Sequence, residues 1–478
     1  MHKKADSVNI WSRYLKGTPV QEIYTRYRKA LSEESKAMRF SQKMEFYLMA
    51  KDDDELMAAI ACFSDKGQAS DAELKTSDIQ LKAILESLSL NAPEINPGLG
   101  ELNLLFIAAE LLLLKDDTDG GLKLALIEEL EAHLHPQAQL RLISYLQNEY
   151  NENDVQIIIS THSPILASKI NLKNLILMKN GTGYDLAEGR TGLQRGDYLF
   201  LQRFLDSIKA NLFFAKGIIM VEGDAENILI PVIADILGYP LEKYGISIVN
   251  VGSTAFLRYS RIMERKDGAD IGIPVSVVTD CDVKPEYTIN PVTHNKEFNE
   301  KETQSVQKQE EKNSKYTTGS IRGFTSPRWT LEYCIALSSL SDIFHKAVHY
   351  GKKILNAQEH ISLTDAKIDE ANRDAEAEAQ AWKGFSAAER AYHIYDLMLN
   401  GDGKSSLKAI VAQCLASLLR WEVSIIPDGL TQEKMFDLDL YGFKIDESKE
   451  AALKSAIEND PFLSYIVNAI KYAAGETV

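Results

Sequence analysis

GIIMVEGDAE, residues 217–226, and VSVVTDCD, residues 275–282, decide how this chain is read. Each opens as an unbroken run dominated by aliphatic and β-branched residues and stops at an acid, the pattern of a buried strand. In the first, Glu222 stands at the end of the strand, Gly223 permits a tight turn into a helix, and Glu226 lies one helical turn on, facing the same pocket. In the second, Asp280 and Asp282 are alternate residues of an extended segment and so point the same way. Carboxylates packed together repel one another, and hard divalent cations with oxygen ligands supply the compensation. The two stretches therefore predict a cation site at the edge of a sheet.

Outward from this pair, further strands are predicted at 122–127, 155–159, 175–178 and 246–251, separated by helical patterns such as 225–237. Strands alternating with helices imply α/β layers, here two of them. Residues 1–95 carry apolar positions at helical spacing (Met44, Phe46, Tyr47, Leu48, then Leu56, Met57, Ile60) and read as a helical arm. Between 284 and 323 the chain turns polar, which predicts an excursion or mobile insert. Long amphipathic patterns return from Ser338. The expected organisation is a dimerisation-like arm at 1–95, one α/β module at 96–205, a second at 211–345 containing the insert 284–323, and a helical C-terminal region at 346–478.

Bulk properties set limits. At 478 residues the chain exceeds what one core usually serves. Its formal charge of −16 argues against a protein that coats nucleic acid by bulk electrostatics, while allowing an acidic pocket that holds cations. The longest apolar run, 104–114, contains Glu110 and is too short to span a bilayer, so no membrane association is expected. Cysteines at 62, 281, 334 and 414 form no CxxC pair, which fits a reducing cytoplasm and argues against zinc.

The strand 122–127 ends in Glu128 and Glu129, and IEELEAHLHP (127–136) is followed by IIISTHSP (157–164). Nucleotide hydrolases use such a strand to deliver acids to Mg²⁺ and to the attacking water. The combination resembles the Walker B, D-loop and H-loop of the ABC-type ATPases of the OLD (overcoming lysogenisation defect) family. By that resemblance Glu128 belongs to the magnesium shell, Glu129 orients water and His162 senses the γ-phosphate. NPGLGE, residues 96–101, is similar to the signature loop, with Gly98 and Gly100 preceding a helix N-terminus that meets a phosphate across a dimer; an ordinary turn has the same composition. No GxxxxGK[ST] loop occurs in residues 1–121, and the near match NGDGKS at 400–405, with Met398 in the first glycine position, is a decoy. The expectation is a chain that begins partway through the ATPase module, by truncation or as a natural split protein. ATP is then bound only if a partner subunit supplies the missing lobe, and no turnover is expected of this chain alone.

VEGDAE followed by VTDCD resembles the Toprim domain shared by topoisomerases, primases and OLD nucleases. The fold class implied is α/β, a partial ABC-type ATPase lobe joined to a Toprim domain with a parallel sheet. The resemblance implies metal ligation by Glu222, Glu226, Asp280 and Asp282, completed by Glu332 of the TLE segment 330–332, for which a plain capping role stays open. It implies hydrolysis of DNA phosphodiesters with two Mg²⁺ or Mn²⁺ ions, with Glu222, Asp280 and Asp282 catalytic and Lys408 stabilising charge on the scissile phosphate. Lys404 is a rival for that last role. Homodimerisation and defence against phage or other foreign DNA are further implications of the family. Arg258, Arg261 and Arg265, with Lys266, fall mostly at helical spacing and read either as a phosphate-binding stripe or as solvated surface. Lys296, Lys301, Lys308 and Arg322 are too interleaved with acids to assign. The competing readings are a RecF- or SMC-like repair ATPase with vestigial Toprim acids, and a non-catalytic scaffold subunit of a split complex.

Overall fold

A computed structural model describes residues 123–150, 155–252, 255–289, 296–356, 363–399, 404–427, 430–437 and 444–478, with residues 73–75, 89–91, 100, 104, 107, 108 and 111 upstream. The chain divides into two compact units, Met1–Ile170 and Asn171–Val478. Of the expected arm at 1–95, only β1 (Glu73–Lys75) and β2 (Ser89–Asn91), an antiparallel pair, belong to the described residues.

In the first unit, β3 (Lys123–Ile127) leads through α1 (Pro136–Tyr150) to β4 (Val155–Ile159), and α2 (Pro164–Lys169) follows. The two strands are parallel, in register from Lys123 opposite Val155 to Ile127 opposite Ile159. Ala125 faces a core with Leu104, Leu111, Leu130 and Leu142, while Leu126 and Ile158 are exposed, as the period of two requires. Ser163 caps α2 by accepting from the Leu166 N–H, with Pro164 in the first turn where no amide donor is needed.

The second unit opens with a hairpin, β5 (Ile176–Lys179) and β6 (Thr182–Asp185), turned through Asn180 and Gly181 at φ of 51° and 76°. The strand expected at 175–178 therefore pairs in a hairpin of its own, and residues 171–205 group with the second unit. After α3 (Arg195–Phe204) come β7 (Gly217–Val221), α4 (Asp224–Leu237), α5 (Leu241–Tyr244), β8 (Ile246–Asn250), α6 (Phe256–Ser260) and β9 (Val275–Thr279). The described residues of the segment expected as a polar insert form an antiparallel pair, β10 (Glu286–Ile289) with β11 (Lys296–Asn299), then α7 (Glu302–Tyr316) and β12 (Ile321–Thr325). β12 joins the main sheet, whose order is β12-β9-β7-β8 with every pair parallel. Composition hid this because α7 buries little beyond Ser305 and Tyr316, and β12 is held by main-chain pairing along β9.

The helices α8 (Leu331–Leu337), α9 (Ser341–Asn356), α10 (Asp365–Ala381), α11 (Ala387–Leu399), α12 (Lys404–Val423), α13 (Glu447–Glu458) and α14 (Ser464–Ala473) complete the unit. α12 packs on α4 and α9, and α14 packs on β7, β9 and β12. Ser276 Oγ donates to the Ala469 carbonyl at 2.7 Å, and a Cβ on Gly217 would lie 1.9 Å from the Ala473 oxygen, so only glycine admits α14 there. Helices thus cover β7 and β9, which are buried at every residue, explaining why both read as continuous apolar runs.

Candidate metal and cleavage site

β7 and β9 are adjacent and parallel, so the residues after their last turns of pleat emerge side by side at the carboxyl edge of the sheet. The Glu222 carboxylate accepts from the Thr279 hydroxyl and from the Asp280 N–H at 3.4 Å. Asp280 Oδ1 accepts from the Leu331 N–H at 2.8 Å, which places the start of α8, and with it Glu332, against the same edge. Glu332 is buried, and its Oε1 pairs with Lys408 Nζ at 3.0 Å. Lys408 also lies over the Tyr395 ring, 5.5 Å from its centroid. Glu226, in the first turn of α4, is buried as well.

These groups act on one another. Loss of water pushes Glu226 up to about 7, helped by the negative charges of Glu332 and Glu222. Desolvation followed by Glu332, Glu226 and Glu222 raises Asp280 well above the usual carboxylate range. Burial pulls Lys408 down, but Glu332 and Tyr395 outweigh it and hold the ammonium charged. Tyr465, on α14, is buried, its hydroxyl has no hydrogen-bond partner among the described residues, and burial, with Cys334 and Asp280, pushes it upward. Among the described residues, Glu332 Oε2 is likewise buried without a hydrogen-bond partner. A buried carboxylate oxygen without a partner, on a residue whose charge is felt by Glu226 and Asp280, is a donor that a divalent cation satisfies, so the chemistry of these residues fits such an ion. Among the described residues, no three of these carboxylates bring their oxygens within 4.8 Å of one another.

Gly223 stands at the tight turn between β7 and α4, extended at φ −150° and ψ −172°. One detail differs from the strand-based expectation. Asp282 does not share the orientation of Asp280 by alternation, because β9 ends at Thr279 and Asp282 turns at φ 64° into an exposed position. There it pairs with Lys312 Nζ at 2.5 Å, and the same ammonium donates to the Asp280 carbonyl at 2.6 Å. Lys312 comes from α7 in the polar segment, where interleaved charges gave no signal to single it out. Thr279 and Tyr395 were equally invisible, being ordinary strand and helix residues until the fold sets them beside the acids. The Lys404 side chain and the NGDGKS glycines lie outside the described residues.

The three arginines of the expected stripe have partners inside the unit, and the Arg258 side chain stays 43% exposed. Arg261 reaches Asp197 at 3.1 Å, Arg258 lies 3.9 Å from the same carboxylate and over the Phe200 ring, and Arg265 is buried against Asp267 and the Asp185 carbonyl. Helical spacing cannot distinguish an arginine that faces solvent from one drawn to an acid on α3.

In the first unit Glu128, Glu129 and His162 are all exposed around the ends of β3 and β4. Glu129, at φ 48°, donates its N–H to Ser160 Oγ at 3.3 Å. Glu131, not singled out from sequence, accepts from the His162 N–H at 2.6 Å and the Thr161 hydroxyl at 2.7 Å, tying the two loops together. A Cβ at Gly100 would lie 2.2 Å from the His133 carbonyl oxygen, so close backbone approach explains that glycine; Gly98 lies outside the described residues.

Residues 213–282 match the overcoming lysogenization defect protein-like TOPRIM domain, and residues 20–167 match the AAA ATPase domain. The latter match reaches across most of the expected arm. Endonuclease GajA of Bacillus cereus (strain HuB5-5) is 29% identical over 226 residues, 41% of this chain and 32% of that protein. The OLD nuclease of Thermus scotoductus is 30% identical over 168 residues, 34% of this chain and 31% of its own length. The matched segments thus span about a third of these curated relatives. The C-terminal region of the Burkholderia pseudomallei OLD protein is 21% identical, covers 55% of this chain and 98% of that structure, and has a TM-score of 0.28.

Proposed function

We propose that this chain, an OLD-like Toprim domain preceded by an AAA-type ATPase segment, is a metal-dependent DNA endonuclease. The observation that carries the reading is the meeting of Glu222, Glu226, Asp280 and Glu332, from four separate elements, with Lys408 at the carboxyl edge of one parallel sheet and Glu332 Oε2 left without a partner. Glu222, Glu226, Asp280 and Glu332 would hold two Mg²⁺ or Mn²⁺ ions, with Asp282 joining once released from Lys312. Such ions lower the pKa of bound water and steady the leaving oxygen of a phosphodiester. The protein's own part is to align the acids, through the Thr279 hydroxyl on Glu222 and the Leu331 amide on Asp280, while burial and repulsion hold Glu226 and Asp280 above the usual carboxylate range until a cation offsets them. Lys408 keeps a cation at the site for the charge that builds on the phosphate. Relatives named as an endonuclease and as a nuclease support a nucleic-acid phosphodiester as the substrate, here proposed to be that of DNA. Homodimerisation, ATP binding with a lobe from a partner, and a role against phage or foreign DNA extend the same reading to the ATPase side.

The test is cleavage of plasmid and linear duplex DNA in Mg²⁺ or Mn²⁺. Activity is expected of the parent and absent from Asp280→Ala and Glu222→Ala; variants that cut as well as the parent remove the assignment.

A further inference from the structure

Away from the acid cluster, α9 and α10 bring a second set of ligating groups together. His345 and His349 are one helical turn apart on the same face of α9, and both are buried, at 5% and 6% exposure. Each directs Nε2 at the same atom, Glu378 Oε2 of α10, at 2.9 Å. Among the described residues, this is the one group of three or more His, Cys, Asp or Glu whose ligand atoms all lie within 4.8 Å of one another. Trp382 stacks on the His345 ring, centroids 5.3 Å apart and planes 25° from parallel, which fixes that imidazole's orientation.

We propose that His345, His349 and Glu378 form a transition-metal site, with Zn²⁺ the ion it suits. Bonds of about 2.0–2.1 Å in a tetrahedral shell set nitrogen and oxygen ligands roughly 3.3 Å apart. The observed 2.9 Å is a few tenths shorter, so a small outward motion of Glu378, whose side chain is 32% exposed, admits an ion and opens a fourth position to water. Two imidazoles and one carboxylate select zinc, copper or nickel over magnesium, which favours oxygen alone. The site is therefore chemically separate from the acid cluster, whose ligands are all oxygen. The absence of CxxC pairs argues only against zinc sites built on cysteine pairs and says nothing of this one. Lys346 follows His345, so this turn carries no glutamate next to the first histidine to act as a general base. The ion's role is then to clamp α10 to α9, the helix on which α12 with Lys408 is packed.

The full chain, stripped with a chelator and returned to buffer with excess Mg²⁺ to occupy the acid cluster, is titrated with Co²⁺. One equivalent should bind with visible d–d absorption and be displaced by one equivalent of Zn²⁺. His349→Gln and Glu378→Gln should lose that equivalent while Asp280→Ala keeps it, and Zn²⁺ should raise the melting temperature of the parent but not of the first two variants. Absence of a bound equivalent in the parent, which requires no variant to fold, overturns the proposal. So does its retention in His349→Gln, or its loss in Asp280→Ala, which would place the ion among the acids.

Discussion

Glu226→Gln separates the two roles of the acid cluster, as a cost to the folded chain and as a ligand set. Glu226 is held up at about 7 instead of its ordinary 4.5 by desolvation, Glu332 and Glu222. At roughly 1.4 kcal/mol for each tenfold change in proton affinity, ionising it in the folded protein costs about 3 kcal/mol relative to the unfolded chain. The sign follows from proton counting. Between the unfolded value near 4.5 and the folded value near 7, the native state binds the extra proton, so metal-free stability falls as pH rises through that window. Glutamine keeps the shape and removes the charge. In EDTA, urea unfolding should show parent and variant close together at pH 5, and the variant more stable at pH 8 by about 2–3 kcal/mol. Adding Mg²⁺ should reverse the order at pH 8, because only the parent retains the full ligand set and is stabilised by binding. A variant less stable than the parent at pH 8 in EDTA would refute the account of a desolvated, repelled carboxylate. Equal stabilisation of both by Mg²⁺ would remove Glu226 from the ligand set.

Replacing Lys408 by Met keeps much of its length but removes its cation beside buried Glu332, and is expected to lower the cleavage rate on the order of 10²-fold with little change in DNA affinity, read from kcat and KM separately. Gly217→Ala forces a methyl onto the Ala473 carbonyl and should cost on the order of 1–3 kcal/mol or more in chemical unfolding. Arg265→Ala should destabilise the chain, since its guanidinium is buried against Asp267 and the Asp185 carbonyl, and leave the salt dependence of DNA binding unchanged; a shallower salt slope would restore Arg265 to the phosphate contacts.

The sequence by itself was sufficient for the strands at 217–221 and 275–279 and for the acids that follow them, because a strand covered on both faces must be apolar throughout and the first polar residue marks its exit. It was sufficient for the α/β class and for the absence of any long apolar helix among the described residues. Only the tertiary structure placed β12, α7 and α14. A polar segment gains its place through main-chain pairing along β9, and a helix near the end of the chain gains its place through close approach to Gly217, neither of which leaves a periodic trace. The same holds for partners of charge. Asp280 and Asp282 differ by two positions, yet one is held at the sheet edge by Leu331 while the other turns away to Lys312. The stripe of arginines closes onto Asp197 and Asp267, and His345 and His349 meet a glutamate from another helix. Local spacing records which way a side chain leaves its own element; what waits there is decided by how elements distant in the chain are packed.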